Sequence, residues 1–260
     1  MTDDKPIPCG LCGAAPPACD GSGYRRTPTG ATPCPSYRGQ LGSRRLEAAG
    51  LPSRFREMRF QDVRTDLPGK ATLEAHVALL RRYAAKMTHA PRGARLTPEG
   101  ILPPLLLTGP AGSGKTMLAS IVGREAAVAG LDVRFAEVTA LIARLTNLID
   151  SRAETADDVL APLLGADLLI LDEIGARRPT AYVADVLYLL VNGRYNDMAP
   201  TIYTTNLSFP GREDELRGRW LETVVGERIA SRLHECYVLD FRGVEDYRKR
   251  KASRRPSPDA

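Results

Sequence analysis

Apolar residues recur along this chain with two periods that alternate. Residues 73–87 place Leu73, Val77, Leu80 and Ala84 on one helical face. Leu105, Leu106 and Leu107 then form an unbroken apolar run, short enough for a buried strand, and residues 116–129 return to a helical pattern that Gly130 can cap. Residues 133–136 read as the next strand, and 139–149 as a helix with Leu141, Ile142, Leu145 and Leu148 on one side. A third apolar run follows at 168–171, then a helix at 180–195 with Val183, Val186, Leu187, Leu190 and Val191 on its buried face. After Pro200 come a β-rich run at 201–206, a helical stretch at 226–233 and a last strand at 236–239, where Cys236 reads as a small buried apolar residue. Strands alternating with helices predict an α/β fold around a parallel central sheet.

The flanks carry no such pattern. Residues 1–40 read as a separate head and 41–72 as a basic, solvated linker with a short helical stretch at 44–49, a stop at Gly50 and Pro52, and a lead-in segment at 60–65. Residues 73–247 form the core domain, interrupted by a polar loop at 88–100. The basic tail 248–260 reads as disordered at its end; it is either a solvated tail or a loose contact for nucleic acid.

Chemistry enters between the first core strand and the helix after it. Gly109, Pro110, Ala111, Gly112, Ser113, Gly114, Lys115 and Thr116 spell G-x-x-x-x-G-K-T, with Met117 opening the helix. The glycines let backbone N–H groups turn towards phosphate oxygens, and the helix N-terminus adds partial positive charge. Lys115 can reach the β- and γ-phosphates, and the Thr116 hydroxyl can hold Mg²⁺. Downstream, Asp172 and Glu173 end the apolar run at 168–171, at the strand end where ligands of open α/β sheets bind. Asp172 suits the magnesium shell, and Glu173 suits a base that orients and deprotonates water. Asn206 ends the β-rich run, where it could reach the γ-phosphate or that water. Arg228 and Arg232 stand four apart on one helical face, placed to stabilise transition-state charge or simply to form surface ion pairs.

Composition changes this picture in two places. A net charge of +5 and a pI near 9.0 permit contact with nucleic acid without requiring it. No uninterrupted apolar window reaches the length of a membrane span, and the first ten residues lack the features of a secretion signal, so a cytoplasmic chain without disulfides is expected. Cys9, Cys12, Cys19 and Cys34 in a Gly/Pro-rich head then favour a structural Zn²⁺ site, since C-x₂-C turns two thiolates onto one metal and zinc supplies folding energy that so apolar-poor a segment lacks. Incidental thiols on a disordered tail, or a redox pair at Cys9 and Cys12, are the alternatives.

The residues so far resemble the DnaC/IstB branch of AAA+ ATPases, which comprises bacterial and phage helicase loaders and the ATPase helpers of some transposons. The likeness spans roughly residues 51–247. Gly109–Thr116 looks like Walker A, and ADLLILDEIG at 166–175 looks like Walker B of this branch. Thr205-Asn206-Leu207 resembles the sensor-1 segment, and GERIASRL at 226–233 resembles the motif carrying an arginine finger, which would be Arg232 with Arg228 second. The helix at 139–149 would match the extra helix that contacts single-stranded DNA in a helical assembly. A chain ending soon after its last strand resembles the loader arrangement without a helical lid.

The resemblance implies a loader of the replicative DNA helicase onto single-stranded DNA, self-associating with ATP and Mg²⁺, its head gripping the helicase. A transposition helper that grips duplex DNA and recruits a transposase would share every ATPase residue. A nucleotide-gated adaptor that hardly turns ATP over would not need Glu173, and a small-molecule kinase would need an acceptor lid that the sequence does not show.

Overall fold

The computed structural model describes residues 24–27, 30–33, 35–66, 68–89, 102–148, 155–176, 180–209 and 221–249. Strands β1 (Tyr24–Thr27) and β2 (Gly30–Pro33) pair antiparallel, with Tyr24 opposite Pro33. Helices α1 (Pro35–Ala48) and α2 (Lys70–His89) precede the core. The core then runs β3 (Leu105–Thr108), α3 (Lys115–Val128), β4 (Val133–Glu137), α4 (Val138–Asn147), α5 (Ala156–Leu164), β5 (Leu168–Asp172), α6 (Ala181–Asn196), β6 (Thr201–Thr205), α7 (Leu221–Val225), α8 (Glu227–Leu233) and β7 (Tyr237–Asp240). The five core strands form one parallel sheet in the order β4-β5-β6-β3-β7.

Continuous apolar runs arise because both faces of this sheet are covered, and the two-residue period of a strand divides each run between them. Leu105, Leu107, Leu168, Ile170 and Ile202 pack with Leu80, Leu118, Ile121 and Val122 of α2 and α3. Leu106, Leu169, Leu171 and Tyr203 face the other way, onto Leu141, Leu145, Leu187, Leu190 and Val191 of α4 and α6. Each such side chain contributes about 1.5–3 kcal/mol by leaving water. The predicted α/β architecture is thus present.

Strand order positions the chemistry. The chain places β6 between β3, which feeds the phosphate loop, and β5, which ends in Asp172. Residues from three strands distant in sequence therefore share one sheet edge.

Two expectations change. The linker is not a solvated connector: Ala49 and Leu51 are buried in the core, and the Ala49 carbonyl accepts a hydrogen bond from the Phe135 N–H at 2.9 Å. The helix read at 44–49 is the end of α1, which begins at Pro35 and crosses the expected boundary between head and linker. Helix α5 was not anticipated, because Pro162 lies inside it. Its N-terminus is nonetheless written in the sequence as a capping box, in which Thr155 and Asp158 exchange hydrogen bonds of 3.2 and 2.9 Å.

Arg194 of α6 is buried to 1% exposure and acts as a staple. It donates to the carbonyls of Leu164, Ala166 and Pro200 and to the Thr201 hydroxyl, joining α5, α6 and the starts of β5 and β6. Burial pulls its pKa down to about 10. Among the described residues, no helix is long and apolar enough to cross a membrane. Beyond β7, the described residues fold back beside the phosphate loop and form no helical lid.

Candidate nucleotide site

The loop between β3 and α3 folds around Lys115. Its Nζ donates to the carbonyls of Gly109 at 2.8 Å and Pro110 at 2.7 Å, and lies 3.4 Å from the Ser113 hydroxyl. Gly109 holds φ +139°, and a Cβ there would stand 2.8 Å from the Phe241 side chain, so the turn requires glycine. Gly114 caps α3, whose free N–H groups open towards a cavity of about 580 Å³. Ala111, Gly112, Ser113, Gly114, Lys115, Thr116 and Met117 all line that cavity, while Pro110 lies at an adjoining one.

Lys115 is 5% exposed, and burial brings its pKa down to about 8, although Asp172 and Glu173 pull it back up. A lysine lowered from 10.5 to about 8 on folding is neutral where the unfolded chain is still charged, so from about pH 8 to 10.5 it adds stability as pH rises. A phosphate at the loop would reverse this by favouring the ammonium. Calorimetry at pH 8 in buffers of differing ionisation enthalpy is expected to detect uptake of about half a proton on ATP binding, with affinity falling above that pH. Uptake of zero with flat affinity from pH 7 to 9 would refute the assignment of this buried charge to phosphate.

Asp172 ends β5 at 5% exposure. Its Oδ1 accepts from the Thr116 hydroxyl at 2.9 Å and the Thr204 hydroxyl at 2.6 Å. Burial raises the Asp172 pKa, and these two hydrogen bonds oppose the shift. Thr116 at the cavity and Asp172 just beneath it thus place hard oxygen donors side by side, a donor set that fits Mg²⁺.

Glu173 follows with φ +60°, a left-handed conformation that costs a non-glycine residue about 1–2 kcal/mol. Hydrogen bonds to the end of β6 hold it there: the Glu173 N–H donates to Thr204 Oγ1 at 3.0 Å, and the Ile174 N–H donates to the Thr204 carbonyl at 2.8 Å. The Thr205 hydroxyl donates to the Ile174 carbonyl at 2.8 Å. This seam brings Glu173, Thr204 and the exposed Asn206 to the same cavity as Lys115 and Thr116. Thr204, which serves both acidic residues, escaped the sequence reading; its only signal was a threonine repeat at a strand end facing the acidic pair.

The cavity's other wall comes from the stretch read as linker. Phe55, Met58 and Val63 meet Leu73 and Met117 there, an apolar surface beside a phosphate cradle. Arg248, assigned above to the tail, also lines this cavity.

Arg228 and Arg232 are elsewhere. Both lie on α8 against α6, Arg228 with its Cζ 4.1 Å from the Tyr188 ring centroid and Arg232 at 5.4 Å from that of Tyr195. The Arg232 Nε donates to Asn192 Oδ1 at 3.2 Å. Neither lines the cavity of its own chain. Helix α4 is capped by the Glu137 carboxylate, which accepts from the Thr139 and Ala140 N–H groups at 2.9 and 3.2 Å. It exposes Ala140, Ala143, Arg144 and Thr146. Cys9, Cys12, Cys19 and Cys34 lie outside the described residues, and among those described no cluster of His, Cys, Asp and Glu could hold a metal ion. Cys236 is buried, which pushes its thiol up to about 12.

Comparison with known proteins fits this geometry. Residues 103–255 match the model of the IstB-like ATP binding protein family. The chain belongs to that family. An insertion sequence IS21 putative ATP-binding protein of Pseudomonas aeruginosa is 35% identical over 151 residues, 57% of this chain and 54% of the relative. The chain thus spans about half the length of that relative. A putative ATP-binding protein in an insertion sequence of Mycobacterium tuberculosis is 30% identical over 211 residues, 80% of this chain and 77% of the relative. The crystal structure of the DnaC helicase loader superposes with a TM-score of 0.57 at 21% identity, over 73% of this chain and 99% of the other. At that identity the likeness is one of fold. By family this chain is an IstB-like ATP binding protein, and its α/β fold is shared with the DnaC structure.

Proposed function

We propose that this IstB-like chain loads a replicative DNA helicase onto single-stranded DNA, using ATP binding and hydrolysis in an oligomer. One observation carries the reading. The phosphate loop, Glu173 and Asn206 share a cavity, whereas Arg228 and Arg232 face away from it on α8. With both α8 arginines outside the cavity of their own chain, a neighbouring subunit is the natural source of an α8 arginine for it.

In this mechanism the apolar wall at Phe55, Met58 and Val63 receives the base, and the phosphate-loop N–H groups and Lys115 hold the β- and γ-phosphates. Thr116 and Asp172 would hold Mg²⁺, which would supply neutralisation of the phosphate charge. Glu173 orients a water against the γ-phosphorus and takes its proton as the new P–O bond forms and the bond to the β-phosphate oxygen breaks. Asn206 steadies that water or the γ-phosphate. A neighbour's Arg232 stabilises the charge that develops. The exposed face of α4 would track single-stranded DNA. We assign a structural zinc to Cys9, Cys12, Cys19 and Cys34; the β1–β2 hairpin lies between Cys19 and Cys34 in the chain and suits a metal-held head that grips the helicase.

The 35% and 30% identity to insertion-sequence proteins favours a second reading, a transposition helper that binds duplex DNA. Affinity for single-stranded and duplex DNA, with and without ATP over a salt series, separates them. The loader is expected to prefer single strands about tenfold or more with ATP, with affinity falling steeply with salt. Duplex preference would move the assignment to the transposition helper. Binding to neither would leave a nucleotide-gated adaptor.

A further inference from the structure

Helix α6 carries Tyr188, Asn192 and Tyr195 along one face, and the chain of α8 carries Arg228, Arg232 and Glu235 at the same spacing of four and then three. The two rows meet rung by rung. The Arg228 guanidinium lies over the Tyr188 ring, the Arg232 Nε donates to Asn192 Oδ1, and the Tyr195 hydroxyl donates to Glu235 Oε1 at 2.7 Å. The ring of Tyr195 also lies within cation–π reach of the Arg232 guanidinium, so one side chain touches both neighbours. Glu235 is the natural ion-pair partner of Arg232. It follows three residues later, is exposed, and donates its N–H to the Arg232 carbonyl at 3.3 Å. Among the described residues, however, no ion pair joins the two. The carboxylate accepts from Tyr195 instead, and this hydrogen bond raises the Tyr195 pKa, which keeps the phenol protonated and donating.

We propose that Tyr195 is a positioning residue for Arg232: its hydroxyl holds Glu235 away, so that the guanidinium stays available to a neighbouring subunit. This rests on the reading of Arg232 as a residue that acts in trans, and adds the device that keeps it free. Within the chain only the Arg232 Nε is engaged, and among the described residues its two terminal nitrogens make no hydrogen bond. Those nitrogens end the planar fork that can meet two phosphate oxygens at once. Asn192 and the Tyr195 ring therefore fix the base of the guanidinium and leave its outer end open. Without the hydroxyl, Glu235 is released to swing onto that outer end. A surface ion pair shifts an equilibrium by up to about fivefold, so capture would withdraw most of the guanidinium without abolishing its use.

The test measures turnover of the full-length protein at saturating ATP, with ATP affinity and melting temperature alongside. The proteins are wild type, Tyr195→Phe, Glu235→Gln, the double variant Tyr195→Phe/Glu235→Gln, and Arg232→Ala. Tyr195→Phe keeps the ring and loses only the hydroxyl. It is expected to lower turnover about fivefold, with ATP affinity within twofold and melting close to wild type. Glu235→Gln alone should stay within twofold of wild type, and the double variant should return to that level, because a neutral amide does not capture a guanidinium. Excess Glu173→Gln subunits, whose Arg232 is held normally, should also raise turnover per Tyr195→Phe subunit. Wild-type turnover in Tyr195→Phe would overturn the proposal and leave Arg232 in its role. So would a loss that Glu235→Gln fails to rescue, which would make the hydroxyl a structural tie between α6 and α8. Wild-type turnover in Arg232→Ala would overturn the reading of Arg232 itself.

Discussion

Glu173→Gln is expected to lower the turnover of ATP about 10²–10⁴-fold while leaving ATP affinity within about twofold. Glutamine keeps the size of the side chain and can still hydrogen-bond water, but it cannot accept the water's proton. The neighbouring groups cannot substitute. Asp172 already takes two hydroxyl hydrogen bonds on Oδ1 and lies buried beneath the surface of the cavity. Thr204 donates to Asp172 and accepts from the Glu173 backbone, so its hydroxyl is occupied. The Glu173 backbone is anchored through its own N–H and that of Ile174, both of which the substitution preserves. Phosphate release in a single turnover, paired with nucleotide binding, reads the two effects separately. Turnover within threefold of wild type would remove Glu173 as the base and favour the adaptor reading.

Most of the candidate site was legible because it consists of local signals at strand ends. The phosphate loop and the Asp172-Glu173 pair each fit within a few residues and sit where an apolar run stops. Asn206 carries only a weak local signal, an asparagine at the end of a β-rich run, and the sheet order brings it near the other two motifs: β6 is inserted between the strands that carry them. What the sequence hid depends on long-range packing. Thr204 matters only because β6 lies beside β5, and no local period announces that pairing. The segment around Leu51 and Phe55 reads as basic and loop-like. Its few apolar residues are nevertheless the ones used, Leu51 in the core and Phe55 in the cavity. Composition put Arg248 in the tail, whereas its position follows from a turn closed by Asp246 against a glycine 134 positions earlier in sequence. Helix α5 was hidden by Pro162 even though its capping box was in plain view.

Arg232→Ala is expected to lower ATP turnover about a hundredfold or more, and the loss should be recoverable by mixing. In a single chain Arg232 rests against Tyr195 and donates to Asn192, on the α6–α8 face and away from its own phosphate loop. Its removal should therefore leave ATP affinity and the local architecture of the site unchanged. Arg228 can remain against Tyr188, but it occupies the previous turn of α8 and would not present its guanidinium at the same point. If Arg232 serves a neighbour, an Arg232→Ala subunit has an intact site and no finger, while a Glu173→Gln subunit has a finger and a site without its base. Each is inactive alone. Mixed, the two form some junctions in which a competent site meets a competent finger, and turnover should rise well above the sum of the separate proteins. Wild-type turnover per subunit should also climb with protein concentration as the assembly forms. Arg232→Lys should recover little, because an ammonium lacks the planar fork that meets two phosphate oxygens. Additive behaviour on mixing, together with turnover independent of concentration, would refute a finger in trans and would require a single subunit to complete its own site.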